Sequence, residues 1–271
     1  MTFAEKLSRA VEKNNSLLCV GLDSDGSKLP AGQNQLSFNK AIVDATHDLV
    51  CAYKPNTAFY EALGSEGIET LKATCDYINE QYPELPIILD AKRADIGNTN
   101  GGYVSFAYEY LGADAITLHP YLGGEALEPF LEIEDKGAVI LCRNSNPGAG
   151  EFQDLTVEGK PIYEKVAHAV KDSWNARGNC LLVVGATYPD EAAKVRDIVG
   201  EDMWLLIPGV GAQGADVEAT VRAAQNSHGE GMIINSSRGI IFASSGDDFA
   251  EVARKEAKKL RDEINAYRRK R

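Results

Sequence analysis

Residues 138–145 read Ala138-Val139-Ile140-Leu141-Cys142-Arg143-Asn144-Ser145, five apolar side chains in succession followed by three polar ones. A strand with one face in water alternates between apolar and polar residues. An unbroken apolar run suits a strand covered on both faces, as in a parallel sheet flanked by helices. Leu181-Leu182-Val183-Val184 repeats the pattern. Outward from these two, short apolar or β-branched runs bounded by Gly, Pro, Asn or Asp fall at 17–23, 49–56, 86–92, 115–120, 138–145, 181–187, 204–210 and 232–237.

The intervening stretches carry apolar residues at spacings of three and four, the helical period. Phe38, Ile42 and Ala45 form one such stripe, with Ser37 expected as its N-cap. Ile68, Leu71, Cys75, Ile78 and Tyr82 form another, and Ile162, Val166, Ala169 and Val170 a third. Pro189 stands where a helix would begin, and Phe249, Val252, Leu260 and Ile264 mark the last helix. Ahead of the first run, Thr2 and Glu5 have the spacing of a capping box before Leu7 and Val11. Eight strands, each followed by a helix, predict an α/β fold of the (β/α)8 TIM-barrel type, with the N-terminal helix lying across it. A doubly wound open sheet is the alternative. No shift in composition divides the chain, so residues 1–271 are expected to form a single barrel domain with an N-terminal capping helix.

Hydrophobic residues make up 44% of the chain and charged residues 25%, which excludes a disordered or fibrous protein. No apolar run approaches the ~18 residues that cross a bilayer, and the N-terminal residues lack the continuous apolar block of a signal peptide. A cytoplasmic location is therefore expected. With 28 basic and 40 acidic residues the formal charge is −12, which draws neither nucleic acid nor an anionic membrane surface. Cys19, Cys51, Cys75, Cys142 and Cys180 are scattered, without metal-binding spacing, and read as small buried hydrophobes in a reducing compartment.

In a barrel of this kind chemistry sits at the C-terminal ends of the strands. There the runs end in Asp23, in Lys54, and in Asp90-Ala91-Lys92 followed by Arg93-Ala94-Asp95. Asp90 and Lys92, two apart on a strand, are expected on one face, with Lys54 on the neighbouring strand, so that acid and base alternate around the mouth. The bland alternative is an ion-pair network that merely closes the barrel end. On the other side of the ring, Pro208-Gly209-Val210-Gly211-Ala212-Gln213-Gly214 and Ser236-Ser237-Arg238-Gly239 end the seventh and eighth runs. Glycines let backbone N–H groups approach an anion and Arg adds a fork of donors, so these loops read as a phosphate cradle. Two long loops, 24–36 and 146–160, follow the first and fifth runs, where long loops tend to be functional or mobile. Of the four histidines only His119, ending the fourth run, falls near the rim, and its role stays open between a substrate contact and a structural histidine.

Asp90-Ala91-Lys92-Arg93-Ala94-Asp95-Ile96 resembles the DxKxxDI signature of the orotidine 5′-phosphate decarboxylase family, and DAKRADIGNT resembles its bacterial subgroup of somewhat longer chains (type 2). The likeness continues in order through Leu22-Asp23, Tyr53-Lys54-Pro55-Asn56, Arg143-Asn144-Ser145-Asn146-Pro147-Gly148-Ala149, the Pro208 loop and Ser237-Arg238-Gly239. Ala94 departs from it, standing where many members of the subgroup have Gly, which bears on local backbone shape alone. The resemblance implies a carboxy-lyase of pyrimidine (UMP) biosynthesis that uses no metal or other cofactor. It implies Lys92 as proton donor to C6 of the pyrimidine and Asp90 beside the substrate carboxylate. Lys54 and Asp23 would hold ribose hydroxyls, Ser145 would read the pyrimidine amide, and Gln213 and Arg238 would hold the phosphate. Asp95 and Thr99 would reach across a homodimer interface into the other subunit's site. Two other readings stay open on the residues themselves: a magnesium-dependent sugar-phosphate enzyme built on the same DxKxxD, and a non-catalytic phosphate-binding barrel.

Overall fold

The computed structural model describes residues 1–210 and 216–269. Its eight main strands are β1 (Leu18–Gly21), β2 (Ala52–Lys54), β3 (Ile88–Arg93), β4 (Ala115–Leu118), β5 (Gly137–Arg143), β6 (Cys180–Val184), β7 (Leu205–Pro208) and β8 (Met232–Ser236). Each coincides with its expected run, with β3 running one residue past the end of its run and β5 and β6 each starting one residue before theirs. All are parallel to their neighbours, and the ladder runs without a break from β3 through β4, β5, β6, β7, β8 and β1 to β2. Two isolated parallel bridges, Tyr53 with Ile87 and Asn56 with Asp90, join β2 back to β3. The sheet thus curls round on itself as a (β/α)8 barrel, and the open-sheet alternative is excluded.

The unbroken apolar runs are buried as their pattern requires: every residue of β1, β2, β4, β6 and β8 is inaccessible or nearly so. Helices follow the strands, among them Gln35–Thr46, Gly64–Gln81, Gly97–Val104, Gly123–Leu131, Ile162–Ala169, Pro189–Val199, Val217–Ala224 and Phe249–Tyr267. Pro189 is the first residue of its helix, as expected. Ser37 is not an N-cap. The helix starts two residues earlier, with Asn34 as cap, and Ser37 closes a capping box from the third helical position: its N–H donates to Asn34 Oδ1 at 2.8 Å while its Oγ accepts from Asn34 N at 3.1 Å. A short polar residue in the first turn can serve either role, and the backbone decides which. The 146–160 stretch is more ordered than a bare loop, holding the short helix Gly150–Gln153 and a small antiparallel pair, Thr156–Val157 with Lys160–Pro161.

The N-terminal helix, Phe3–Asn14, has the expected capping box between Thr2 and Glu5 and closes the strands' N-terminal end. Phe3 packs over Gly137 at the start of β5, where an added Cβ would come within 2.7 Å of the Phe3 ring. Lys6 reaches Asp114, just before β4, at 2.8 Å. All five cysteines are free and buried, and burial pushes the Cys19, Cys75 and Cys180 thiols up to about 12. Among the described residues no helix is long and apolar enough to cross a membrane.

Candidate active site

At the opposite, C-terminal end of the strands lies a cavity of about 150 Å³ walled by Asp23, Lys54, Asp90, Pro208, Gly209, Val210, Asn235, Ser237 and Arg238. Its centre is one carboxylate. Asp90 Oδ2 accepts from Lys54 Nζ at 2.8 Å and from Asn56 Nδ2 at 3.3 Å. Its Oδ1 accepts from Lys92 Nζ at 2.6 Å and from the Thr117 hydroxyl at 2.9 Å. Burial alone would raise the Asp90 pKa, but the charges of Lys54 and Lys92 outweigh it and hold the carboxyl well below the usual carboxylate range. Burial would likewise favour a neutral Lys54, but the charges of Asp90 and then Asp23 more than offset it, so its pKa lies above the ordinary lysine value. Asp90 and Lys54 therefore both carry charge at neutral pH.

The two lysines differ in access. The Lys54 side chain is 4% exposed and Asp90 11%, whereas Lys92 is 50% exposed and so available to a ligand at the mouth. Asp90 and Lys92 do converge, though not by plain strand alternation. The β3–β4 register slips between Leu89 and Arg93, so that Asp90, Ala91 and Lys92 stand opposite Thr117 alone. Lys92 sits in the left-handed region, with φ 47°. For a residue with a Cβ this conformation costs about 1–2 kcal/mol, and such outliers gather where a side chain is being aimed.

Of the remaining expected residues, Asp23 lies two positions beyond the end of β1 and faces the cavity. Its Oδ1 is buried without a hydrogen-bond donor among the described residues, as is Asn235 Oδ1 across the same cavity. Arg238 is exposed and has no ion pair among the described residues. The loop after β7 reaches the cavity through Gly209, whose φ of 105° suits only glycine. Gln213 lies outside the described residues. Ser145, Asp95, Thr99 and His119 are not walls of this cavity, nor is Lys92, which stands beside it through its ion pair with Asp90. Ser145 passes over Gly185, where a Cβ would come within 2.7 Å of the Ser145 backbone. Asp95 accepts from the Ile96 amide at 2.7 Å, and Thr99 is exposed on the helix Gly97–Val104. His119 donates its backbone N–H to Arg93 O at 3.1 Å.

Sequence reasoning missed Asn56, Thr117 and Asn235. The signal was present for the last two, since each is a polar residue inside an otherwise apolar run, Ala115-Ile116-Thr117-Leu118 and Met232-Ile233-Ile234-Asn235. It also missed how Arg143 works: 2% exposed, it stacks on Tyr188 at 3.9 Å and pairs with Asp154 at 3.1 Å, anchoring the segment after β5.

A closed (β/α)8 barrel with alternating charges at its mouth, and a glycine- and arginine-bearing rim beside them, defines an enzyme-like barrel for a phosphorylated ligand. Residues 16–255 match the profile of the Orotidine 5′-phosphate decarboxylase / HUMPS family, and the chain belongs to that family. It is 51% identical over 275 residues to the orotidine 5′-phosphate decarboxylase of Cellvibrio japonicus, covering 99% of this chain and all of that one. Among solved structures it is similar to the UMP synthase of Leishmania donovani (TM-score 0.89, 39% identity, 98% of this chain and 56% of the synthase). It is also similar to the OMP decarboxylase of the same organism (TM-score 0.86, 37% identity, 98% of each chain).

Proposed function

We propose that this chain, as a single barrel domain in the cytoplasm, converts orotidine 5′-phosphate to uridine 5′-phosphate and CO2. The activity is the one its full-length relatives are named for. The observation that carries the mechanism is the half-exposed Lys92 ammonium held 2.6 Å from a buried, charged Asp90. Loss of CO2 from C6 leaves an electron pair in the plane of the pyrimidine ring, where the ring's π system cannot absorb it. The developing charge must be met electrostatically, and a fixed ammonium does so before it delivers the proton. Asp90 holds that ammonium in place and adds a smaller ground-state repulsion against the substrate carboxylate. A divalent cation beside Asp90 would be repelled by Lys54 Nζ, 2.8 Å away, which counts against the magnesium-dependent reading.

Asp23 Oδ1, which meets no donor among the described residues, suits a ribose hydroxyl, with Lys54 as its neighbour. Arg238 and Gln213 take the phosphate, whose binding energy closes the mouth and fixes the base, which Ser145 reads. Asp95 and Thr99 serve the site of a second copy in a homodimer, a reading supported by their standing away from their own cavity beside Ile96, which is 62% exposed.

Two measurements test this. Loss of orotidine 5′-phosphate absorbance is expected to proceed unchanged after exhaustive EDTA treatment; activity that disappears and returns with Mg²⁺ would refute metal independence. Mixing inactive Lys92→Ala with inactive Asp95→Ala protein is expected to restore activity on subunit exchange, since a heterodimer holds one site with neither defect. If exchange is verified and no activity returns, Asp95 serves its own chain.

A further inference from the structure

We propose that Thr117 is a positioning residue whose hydroxyl sets where the Lys92 ammonium stands. The inference rests on Lys92 being the proton donor. In a parallel ladder backbone amides pair with backbone carbonyls of the next strand. At the slip in β3 the Lys92 N–H donates instead to the Thr117 side chain, N to Oγ1 at 2.9 Å. A hydroxyl has one proton to give and lone pairs to accept with, and Thr117 gives its proton to Asp90 Oδ1 at 2.9 Å. That same Oδ1 accepts the Lys92 ammonium at 2.6 Å.

Lys92 is therefore held at both ends by one relay, its backbone through Thr117 and its ammonium through Asp90. Thr117 is 1% exposed, so water has no path to replace its hydroxyl. It is also the one β4 residue facing three residues of β3, two more than regular pairing allows, so no neighbouring side chain of that strand is in register to take over. Without the hydroxyl, the left-handed turn at Lys92 loses its acceptor and Asp90 loses one of four donors. β3 is then free to relax toward regular pairing, and the ammonium moves with it.

The test is steady-state decarboxylation by Thr117→Val, Thr117→Ser, Thr117→Ala and Lys92→Ala proteins. Valine keeps the shape and removes the hydroxyl. Because misplacement of a catalytic group by about 1 Å can cost ~100-fold, Thr117→Val is expected to lower kcat about 10- to 100-fold with KM changed less than about threefold. Thr117→Ser is expected to stay within about threefold of the parent kcat. Should the valine protein not fold, the serine and alanine proteins carry the same comparison, as both lack the methyl group and differ in the hydroxyl. Serine is then expected to be at least about tenfold faster than alanine. A valine protein with parent kcat, a loss confined to KM, or a serine protein no faster than alanine overturns the proposal. If Lys92→Ala itself keeps the parent kcat, the failure lies with the proton-donor reading. If Lys92→Ala is inactive while Thr117→Val is fully active, Lys92 stands and Thr117 alone is refuted.

Discussion

The two ends of the barrel each hold a lysine–aspartate contact, built to opposite purposes. At the N-terminal end Lys6 gives both of its contacts to Asp114, Nζ to Oδ1 at 3.0 Å and to Oδ2 at 2.8 Å, and Asp114 also accepts from the Ile87 amide at 2.8 Å. One acid meets one base, and the pair seats the N-terminal helix on the barrel floor. At the C-terminal end one carboxylate serves two ammonium groups, the backbone beneath it is strained, and the acceptor atoms of Asp23 and Asn235 meet no donor among the described residues. Buried ion pairs gain little over apolar packing. A balanced pair with ordinary geometry is what closure alone requires. Surplus charge, strain and open acceptors exceed that requirement and mark the end where a ligand completes the set.

Mutations can break this contrast. The largest effect is expected from Lys92→Ala: removing a charge partner of the transition state costs on the order of 3–4 kcal/mol, lowering kcat by ~10²–10³-fold or more. Arg238→Ala, which removes a charged contact to a group that does not react, is expected to raise KM about 10- to 100-fold with kcat little changed. Equal losses of kcat from both would contradict the division of roles. Smaller is the expected effect at the other end. Lys6→Met is expected to lower stability by about 1–3 kcal/mol, or Tm by roughly 2–10 °C, and to leave kcat unchanged. A Lys6→Met protein with parent Tm and reduced kcat would reverse the assignment of the two ends.

The smallest effect is in pH dependence. A carboxylate whose folded pKa is depressed contributes stability that is complete above about pH 4, its unfolded value, and fades as pH falls toward the folded one. Asp90 is such a group. Lys54, raised when folded, contributes fully below about pH 10.4 and loses its contribution as pH rises beyond that. The Tm difference between parent and Asp90→Asn proteins is therefore expected to be level between about pH 5 and 8 and to narrow below about pH 4. A difference constant down to about pH 2.5 would show that folding leaves the Asp90 titration unchanged.

Much of this was legible in the chain, because the signals are local. Runs such as Ala138-Val139-Ile140-Leu141-Cys142 declare burial on both faces whatever surrounds them, and capping at Thr2 and Glu5 needs four consecutive residues. Asp90, Lys92 and Lys54 stood out as charges ending apolar runs. Ser37 was misassigned because a side chain one turn away, Asn34, took the cap. Thr117 interrupts an apolar run, but threonine is common in strands, so the interruption alone does not distinguish a hydroxyl that holds the site from one that merely packs.

The sequence by itself determined the eight strands, their order along the chain, and which charged groups would gather at the C-terminal mouth. Only the tertiary structure decided that the barrel closes through the two bridges from β2 to β3, that β3 slips against β4, and that Lys92 turns left-handed over Thr117. The reason is that register belongs to a pair of strands and to neither alone. Lys92 and Thr117 lie 25 residues apart, and Lys54 and Asp90 lie 36 apart. No local pattern holds both members of such a pair, so their distances exist once the strands have paired and not before.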